Sequence, residues 1–187
     1  MKLFIVESPN KAKKIRSYLG SEWKVAASVG HIRDLPLKEM GVYAPDFKPT
    51  YVTSPDKIKV VSNLKADVKN ADEIILATDP DREGEAIAWH LKEALGIGAC
   101  KRAIFNEISK GAILKSIADA GEIDMPMVAA QEARRVLDRI VGYTVSPILS
   151  DMANVRLSAG RVQSPAVKIV VTREREIEGF VAQRFYG

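Results

Sequence analysis

The residues with the clearest potential for chemistry are four carboxylates within seven positions: Asp79, Asp81, Glu83 and Glu85. They follow the apolar run 73–78, the strongest strand pattern in the chain, and open α/β sheets place their sites at the carboxyl ends of strands. Carboxylates at 79, 81 and 83 project to one side if the strand geometry continues. Because like charges at this spacing repel one another, they favour a bound cation, and oxygen-only ligands favour Mg²⁺ over zinc.

The alternative for this segment is a solvated acidic turn, whose carboxylates would stabilise the start of the next helix through the helix dipole. The apolar strand before the cluster and the helical pattern from Gly84 onward favour the metal site. Arg82 could pair with a neighbouring carboxylate or face a phosphate, and both alternatives remain open.

Glu7 and Lys11 form a second chemical group near the start of the chain. Glu7 directly follows the apolar run 3–6, and Asp79 holds the corresponding position at the end of the later strand. If the two strands are neighbours, Glu7 reaches the same edge, where like charge and a bound cation would tune its pKa for proton transfer. A carboxylate bonded by the following backbone amides is the alternative. Lys11 opens a basic helix suited to a phosphate, although surface lysines are commonly only solvated.

Composition restricts the class of protein that must position these residues. The chain has 187 residues, 47% of them apolar and 28% charged, which excludes a disordered or fibrous protein. The net charge of +4 permits a polyanionic partner. The single Cys100 excludes an internal disulfide and a cysteine-only zinc site. Since no segment approaches the roughly 20 apolar residues of a membrane span, we expect a cytoplasmic protein with no membrane partner.

Strand and helix patterns alternate through the first two thirds of the chain, which predicts an α/β fold with a parallel sheet covered by helices on both faces. The predicted strands are 3–6, 24–29, 73–78 and 103–105. Helices are predicted over 9–19, from a cap at Asp56 to Lys69, from 84 to a stop at Gly96, and after Ser109. An irregular excursion occupies about 32–55. Long helices over 127–143 and 162–177 then predict a second, helical module, which gives domains 1–124 and 125–187.

Five separated blocks resemble one protein family: residues 6–13, 28–36, 77–86, 131–139 and 157–164. They are similar, in order, to the N-terminal part of bacterial type IA DNA topoisomerases, whose first domain has the Toprim fold, a Rossmann-like parallel sheet. The resemblance covers essentially the whole chain. It implies a Toprim domain followed by a partial helical domain, in a monomeric and nucleoid-associated protein.

The resemblance also implies a reaction and its residues. Enzymes of this family relax negatively supercoiled DNA without ATP, by transient cleavage of one strand through a 5′-phosphotyrosyl bond. By this similarity Asp79, Asp81 and Glu83, together with Glu7, hold Mg²⁺. Glu7 handles a proton at the scissile phosphate, and Lys11 stabilises its negative charge.

A single-stranded DNA groove is the third implication. The positions that match it are His31, Arg135, Asp138, Arg139, Arg161 and Gln163. On the helix pattern alone, a surface ion-pair array is favoured for the charged side of 127–143. The other side, with Val136, Leu137, Ile140 and Val141, is expected to pack. His31 contacts DNA or packs after the second strand, and His90 is expected on a helix surface.

One departure from the family concerns the nucleophile, which lies there in a Tyr-x-Arg-Thr context in a later domain. The five tyrosines of this chain all lie in other contexts: Tyr18, Tyr43, Tyr51, Tyr143 and Tyr186. We therefore expect a fragment, ending at the start of a further domain, that binds metal and DNA without cleaving. The alternatives are a stand-alone Toprim nuclease that uses Mg²⁺-activated water and a non-catalytic nucleic-acid-binding module.

Overall fold

The computed structural model describes residues 1–184, so that Tyr186 lies outside the described residues. Contacts divide the chain into two compact units, Met1–Arg134 and Arg135–Gly187. The division falls inside a long helix, and the domain boundary inferred from sequence remains a prediction.

The first unit is built on a parallel sheet, as the alternating pattern predicts. The strands of this unit are β1 (Lys2–Val6), β2 (Trp23–Ala27), β3 (Arg33–Asp34), β4 (Val52–Thr53), β5 (Glu73–Ala77) and β6 (Lys101–Arg102). Of these, β3 and β4 form a separate antiparallel ribbon. The sheet order is β2-β1-β5-β6, and all of its pairs are parallel. The condition under which Glu7 was expected at the same edge as Asp79 is therefore met: β1 and β5 are neighbours, and Val6 lies opposite Ala77.

Helices cover both faces of this sheet. The helices of the described chain are α1 (Pro9–Arg16), α2 (Ile58–Lys69), α3 (Arg82–Leu95), α4 (Lys110–Ala118), α5 (Met125–Ala153) and α6 (Gln163–Glu178). Alternate residues of the central strands pack on opposite faces: Leu76 joins a cluster with residues of α2 and α3, and Ile75 joins one with residues of α1 and α4. The predicted fold class is confirmed.

Two local predictions are wrong. The edge strand is β6 at 101–102 rather than 103–105, because Lys101 and Arg102 pair with β5 while Ile104 is 53% exposed. Asp56 does not cap the following helix. It lies in a single 3-10 turn, Pro55–Lys57, and α2 begins only at Ile58.

The irregular excursion contains the short antiparallel ribbon β3–β4, which pairs Arg33 with Thr53 apart from the main sheet. This ribbon carries Arg33 and Tyr51 to the surface of α3, where the Arg33 guanidinium stacks 5.2 Å from the Trp89 ring. The prediction that this segment leaves the sheet is confirmed.

The two long helical predictions are confirmed, and α5 runs past 143 through Pro147 to Ala153. The predicted packing side of α5 is confirmed only in part. Val136 and Ile140 are half-buried, but Leu137 is 61% exposed and Val141 40%. Gln131 and Arg139, on the polar side, are 6% and 9% exposed. Among residues 1–184, no helix combines the length and apolar content that crossing a membrane requires.

Candidate functional site

The carboxyl ends of β1 and β5 bring the first two predicted groups together. Because β1 and β5 pair in parallel up to Val6 and Ala77, Glu7 and the segment from Thr78 leave the sheet side by side. Lys11 is the third residue of α1. Its side chain reaches across this edge, and Nζ contacts the Asp79 carboxylate. Glu7 and Lys11, close together in sequence, thus share one corner with Asp79, which lies 68 residues beyond Lys11.

The electrostatics of this corner appear in the pKa of Glu7, which is raised above its ordinary value. Partial burial is the largest cause, and the negative charge of Asp79 is the second. Lys11 and His31 act in the opposite direction, while Asp81 adds to the increase. Two aspartates therefore lie close enough to Glu7 to oppose its ionisation, and a cation placed among them would relieve that repulsion.

Asp81 has a local structural role as well. Its Oδ1 accepts a hydrogen bond of 2.7 Å from the backbone N–H of Gly84, which caps the start of α3. Because β5 ends at Ala77 and the chain turns into a helix at Arg82, the alternation expected at 79, 81 and 83 does not continue beyond the strand. The condition for projecting these three carboxylates to one side, a strand that continues beyond Ala77, is thus not met.

Glu83 is surrounded by hydrogen-bond donors. The Gln131 side chain donates from Nε2 to Glu83 Oε2 at 3.1 Å. His31 Nε2 lies 3.5 Å from the same oxygen, and Arg134 Nη1 lies 3.9 Å from Oε1. The segment after β2 and the start of α5 thus meet at this carboxylate.

The turn that carries Asp79 is held by a buried ion pair that the sequence patterns did not identify. Arg102, 2% exposed, donates to the Glu85 carboxylate at 2.8 Å, and its remaining N–H groups bond the backbone oxygens of Thr78, Asp79 and Ala103. The other Glu85 oxygen accepts from the Asp124 N–H at 2.7 Å. An arginine buried in an edge strand leaves no hydrophobic pattern in the sequence. The one signal was its partner Glu85, a glutamate within an apolar helix.

Gly84 completes this turn by its lack of a side chain. A Cβ at Gly84 would lie 2.1 Å from the carbonyl oxygen of Asp79. The buried Thr78 hydroxyl bonds the Gly84 oxygen at 2.5 Å. The close approach of the strand end to α3 therefore requires glycine at this position.

His90 is not on a helix surface, contrary to the expectation. It is 2% exposed, and its Nδ1 accepts a hydrogen bond of 3.2 Å from Arg33 Nε. The rings of Tyr51 and Trp89 lie within 5 Å of it, centroid to centroid. Burial and the nearby Arg33 charge lower the pKa of His90 to about 3, so the imidazole is neutral and structural.

The residues matched to a DNA groove lie mostly in the second unit. Arg161 Nη2 donates to Asp138 Oδ2 at 2.7 Å, and the Arg139 guanidinium lies 4.6 Å from the centre of the Tyr143 ring. Gln163 is exposed at the first residue of α6. Arg135 lies four residues before Arg139 on α5. Of these residues, the structure brings Arg161 and Asp138 together.

Comparison with protein families covers nearly the whole chain. The Toprim domain family matches residues 2–108, and a DNA topoisomerase family matches residues 122–187. The chain belongs to the Toprim domain family, and its helical segment is similar to the DNA topoisomerase family. It is 58% identical over 187 residues to a protein named "DNA topoisomerase I, plasmid" from Xylella fastidiosa (strain 9a5c). The match includes 100% of this chain and 28% of that relative.

A solved topoisomerase has the same fold. The full-length topoisomerase I from Thermotoga maritima, in a monoclinic crystal form, matches 96% of this chain with a TM-score of 0.87 and 49% identity. The match spans 31% of that structure. The chain thus spans less than a third of the length of these topoisomerases.

Toprim domains generally bind Mg²⁺, and the corner at β1 and β5 can be compared with that requirement. Among residues 1–184, no three His, Cys, Asp or Glu side chains are arranged to hold a metal ion together. The chemistry of the donors nevertheless fits, because Glu7, Asp79 and Asp81 offer only oxygen atoms. The negative charges of Asp79 and Asp81 oppose the ionisation of Glu7, and a bound cation would relieve this repulsion. Glu83, the fourth ligand expected, is engaged with its own donors.

Proposed function

We propose that this chain is the Mg²⁺- and single-stranded-DNA-binding part of a topoisomerase that relaxes negatively supercoiled DNA. The reaction would proceed without ATP, through transient cleavage of one strand and a 5′-phosphotyrosyl bond. The observation that carries the proposal is the convergence of Glu7, Lys11 and Asp79 where β1 and β5 end side by side. Anionic oxygens and a lysine in one corner suit a divalent cation beside a phosphate.

Each residue of this corner has a proposed role. Glu7, Asp79 and Asp81 hold Mg²⁺, with Glu83 as the fourth expected ligand, and the ion when bound supplies positive charge against the DNA backbone. Lys11 stabilises negative charge on the scissile phosphate, as preorganised cations do in phosphoryl transfer. Glu7, whose pKa is already raised by burial and by Asp79, moves a proton there.

The helical residues would bind single-stranded DNA. Arg135, Arg139 and Arg161 offer charge to phosphates, and Gln163 offers an amide to a base or sugar. His31 and Asp138 complete the proposed set, with Asp138 orienting Arg161 through their hydrogen bond. Since no tyrosine has the family's nucleophile context, this chain alone should bind DNA without cutting it.

Calorimetry with Mg²⁺ tests the metal site. We expect Asp79→Asn with Asp81→Asn to abolish the binding heat, because both anionic ligands become neutral. Asparagine keeps the cap on α3, whereas alanine would cost about 1 kcal/mol of stability. Asp56→Asn, in the exposed 3-10 turn, is the matched control and should bind Mg²⁺ normally. Unchanged heat in the double variant with an unchanged melting temperature would refute the assignment.

Anisotropy with a labelled single-stranded oligonucleotide tests the groove. Arg135→Ala should weaken binding and reduce the slope of log K against log salt by about 0.7, as expected for one lost phosphate contact. Lys59→Ala, which removes a positive charge from the exposed side of α2, is the control. An unaltered slope would return Arg135 to a surface ion-pair role. Cut oligonucleotide in the presence of Mg²⁺ would support the nuclease instead.

A further inference from the structure

Ser28, directly after β2, carries a buried hydroxyl group that forms no hydrogen bond in the fold. The side chain is 0% exposed, and its Oγ has no hydrogen-bond partner among residues 1–184. A hydroxyl group that is withdrawn from water without gaining a partner destabilises the folded chain. At the end of β5 the corresponding hydroxyl, that of Thr78, is bonded to the Gly84 oxygen. Local folding therefore does not account for the unpaired donor at Ser28.

Ser28 lies next to Glu7 at the carboxyl edge of the sheet. The last residues of β1 and β2 lie opposite each other, and the Ser28 N–H donates to the Val6 oxygen at 2.9 Å. The pairing thus continues one residue beyond both strands, which places Ser28 beside Glu7 on backbones about 4.8 Å apart. Because Ala26 packs against the buried cluster that contains Ile5, the alternation of side chains puts Ser28 and Glu7 on the same face.

The turn that follows Ser28 is strained. Val29 has a φ of 60° and Gly30 a φ of 79°, both in the left-handed region. For a β-branched residue such as valine this conformation is unfavourable, and it persists only where the surrounding structure enforces it. Here it allows the Gly30 N–H to donate to the backbone oxygen of Glu7 at 3.2 Å. A strained backbone and an unpaired hydroxyl group therefore occur together beside Glu7, and such departures from local preference are typical of functional sites.

We propose that Ser28 is a positioning residue whose hydroxyl group donates a hydrogen bond to the Glu7 carboxylate when that carboxylate holds Mg²⁺. Carboxylates that bind metal ions are commonly oriented by a hydrogen bond from a second residue. This inference rests on the proposed function and adds to the metal site a residue that does not touch the ion. Because the hydroxyl group has no partner in the fold itself, its removal should weaken Mg²⁺ binding without weakening the fold.

The test is calorimetric titration with Mg²⁺ of the 187-residue chain and of its Ser28→Ala variant. We expect the variant to bind Mg²⁺ roughly tenfold more weakly, as the loss of a residue that orients a metal ligand commonly does. Its melting temperature in EDTA should equal that of the parent chain or exceed it, because alanine has no unpaired hydroxyl group. Ser116→Ala is the matched control. Ser116 is also buried, but its Oγ donates to the Ile113 oxygen at 2.8 Å within α4, so this variant should bind Mg²⁺ like the parent chain.

Ser28→Cys separates the hydrogen bond from the packing of the turn. Because the thiol is a weak donor of similar size, the Mg²⁺ affinity of this variant should lie between those of the alanine variant and the parent chain. A cysteine variant that binds no better than the alanine variant would assign the loss to packing and overturn the inference. Parent-like Mg²⁺ affinity in Ser28→Ala would also overturn it, while leaving the proposed metal site intact. Absence of Mg²⁺ binding by the parent chain would reject that site and the inference together.

Discussion

The two units differ in where their apolar residues lie. In Met1–Arg134 both faces of the sheet carry buried clusters, and residues such as Leu76 and Ile75 are fully buried. In the described part of Arg135–Gly187, Ala159 is the one buried apolar residue, and α6 has none. The first unit therefore has a core of its own, while the helices of the second expose residues such as Ile169.

The same kind of contact has different surroundings in the two units. Arg102 and Glu85 approach to 2.8 Å with side chains 1% and 3% exposed. Arg161 and Asp138 approach to 2.7 Å with side chains 49% and 38% exposed. Nearly equal distances therefore imply unequal energies, because solvent screens the second pair and not the first. The comparison teaches that the turn carrying Asp79 is held by an ion pair that burial shields from solvent.

The largest expected effect comes from breaking the buried pair. Arg102→Met should lower the free energy of unfolding by about 3 to 5 kcal/mol, since Glu85 would be left as an uncompensated buried charge. Arg161→Met should cost at most about 1 kcal/mol, because its pair is partly solvated. Urea denaturation of both variants provides the measurement. Similar losses in the two variants would remove the contrast between the units.

A glycine in each unit offers a smaller contrast. Gly84→Ala should destabilise the chain by roughly 2 kcal/mol, because the new methyl group meets the Asp79 backbone at 2.1 Å. Gly142→Ala, in α5 with no atom within 4 Å of the added Cβ, should stabilise by about 0.5 to 1 kcal/mol through helix propensity. Thermal melting followed by circular dichroism would show opposite shifts. A harmless alanine at 84 would mean that the turn adjusts freely.

The pH dependence of stability tests the buried histidine of the first unit. Because burial lowers the pKa of His90 to about 3, the unfolded chain takes up a proton below its ordinary pKa of 6.5 and the folded chain does not. Stability should therefore be complete above that value and fall as the pH drops, by up to about 1.4 kcal/mol per pH unit. His90→Gln should lose this slope between pH 6.5 and about pH 5, where few carboxyl groups titrate. His31→Gln should keep it, and a parent chain without the slope would show that His90 protonates in the folded state.

Much of the first unit could be predicted because its signals are local. The apolar runs that became β1 and β5, and the helix that stops at Gly96 in a left-handed conformation, have direct patterns in the sequence. The meeting of Glu7 and Asp79 followed from a general rule about parallel strands. That rule needs no knowledge of side-chain packing.

What could not be predicted depends on tertiary contacts. The strand at Lys101 and Arg102 is polar because Arg102 anchors buried carbonyl groups, a function that no hydrophobic periodicity records. The burial of Gln131 could not be predicted, because its partner Glu83 lies on another element. Leu137 is apolar yet exposed, so the helical pattern did not predict which residues of α5 are buried.

The central claim is that Glu7, Asp79 and Asp81 hold one divalent cation where β1 and β5 end. Crystals of this chain grown with Mn²⁺ in place of Mg²⁺ would report it directly through an anomalous difference map, since both ions favour oxygen ligands. The account predicts a peak within bonding distance of carboxylate oxygens from Glu7 and Asp79. A map with its Mn²⁺ peak elsewhere, and Lys11 still seated on Asp79, would contradict it.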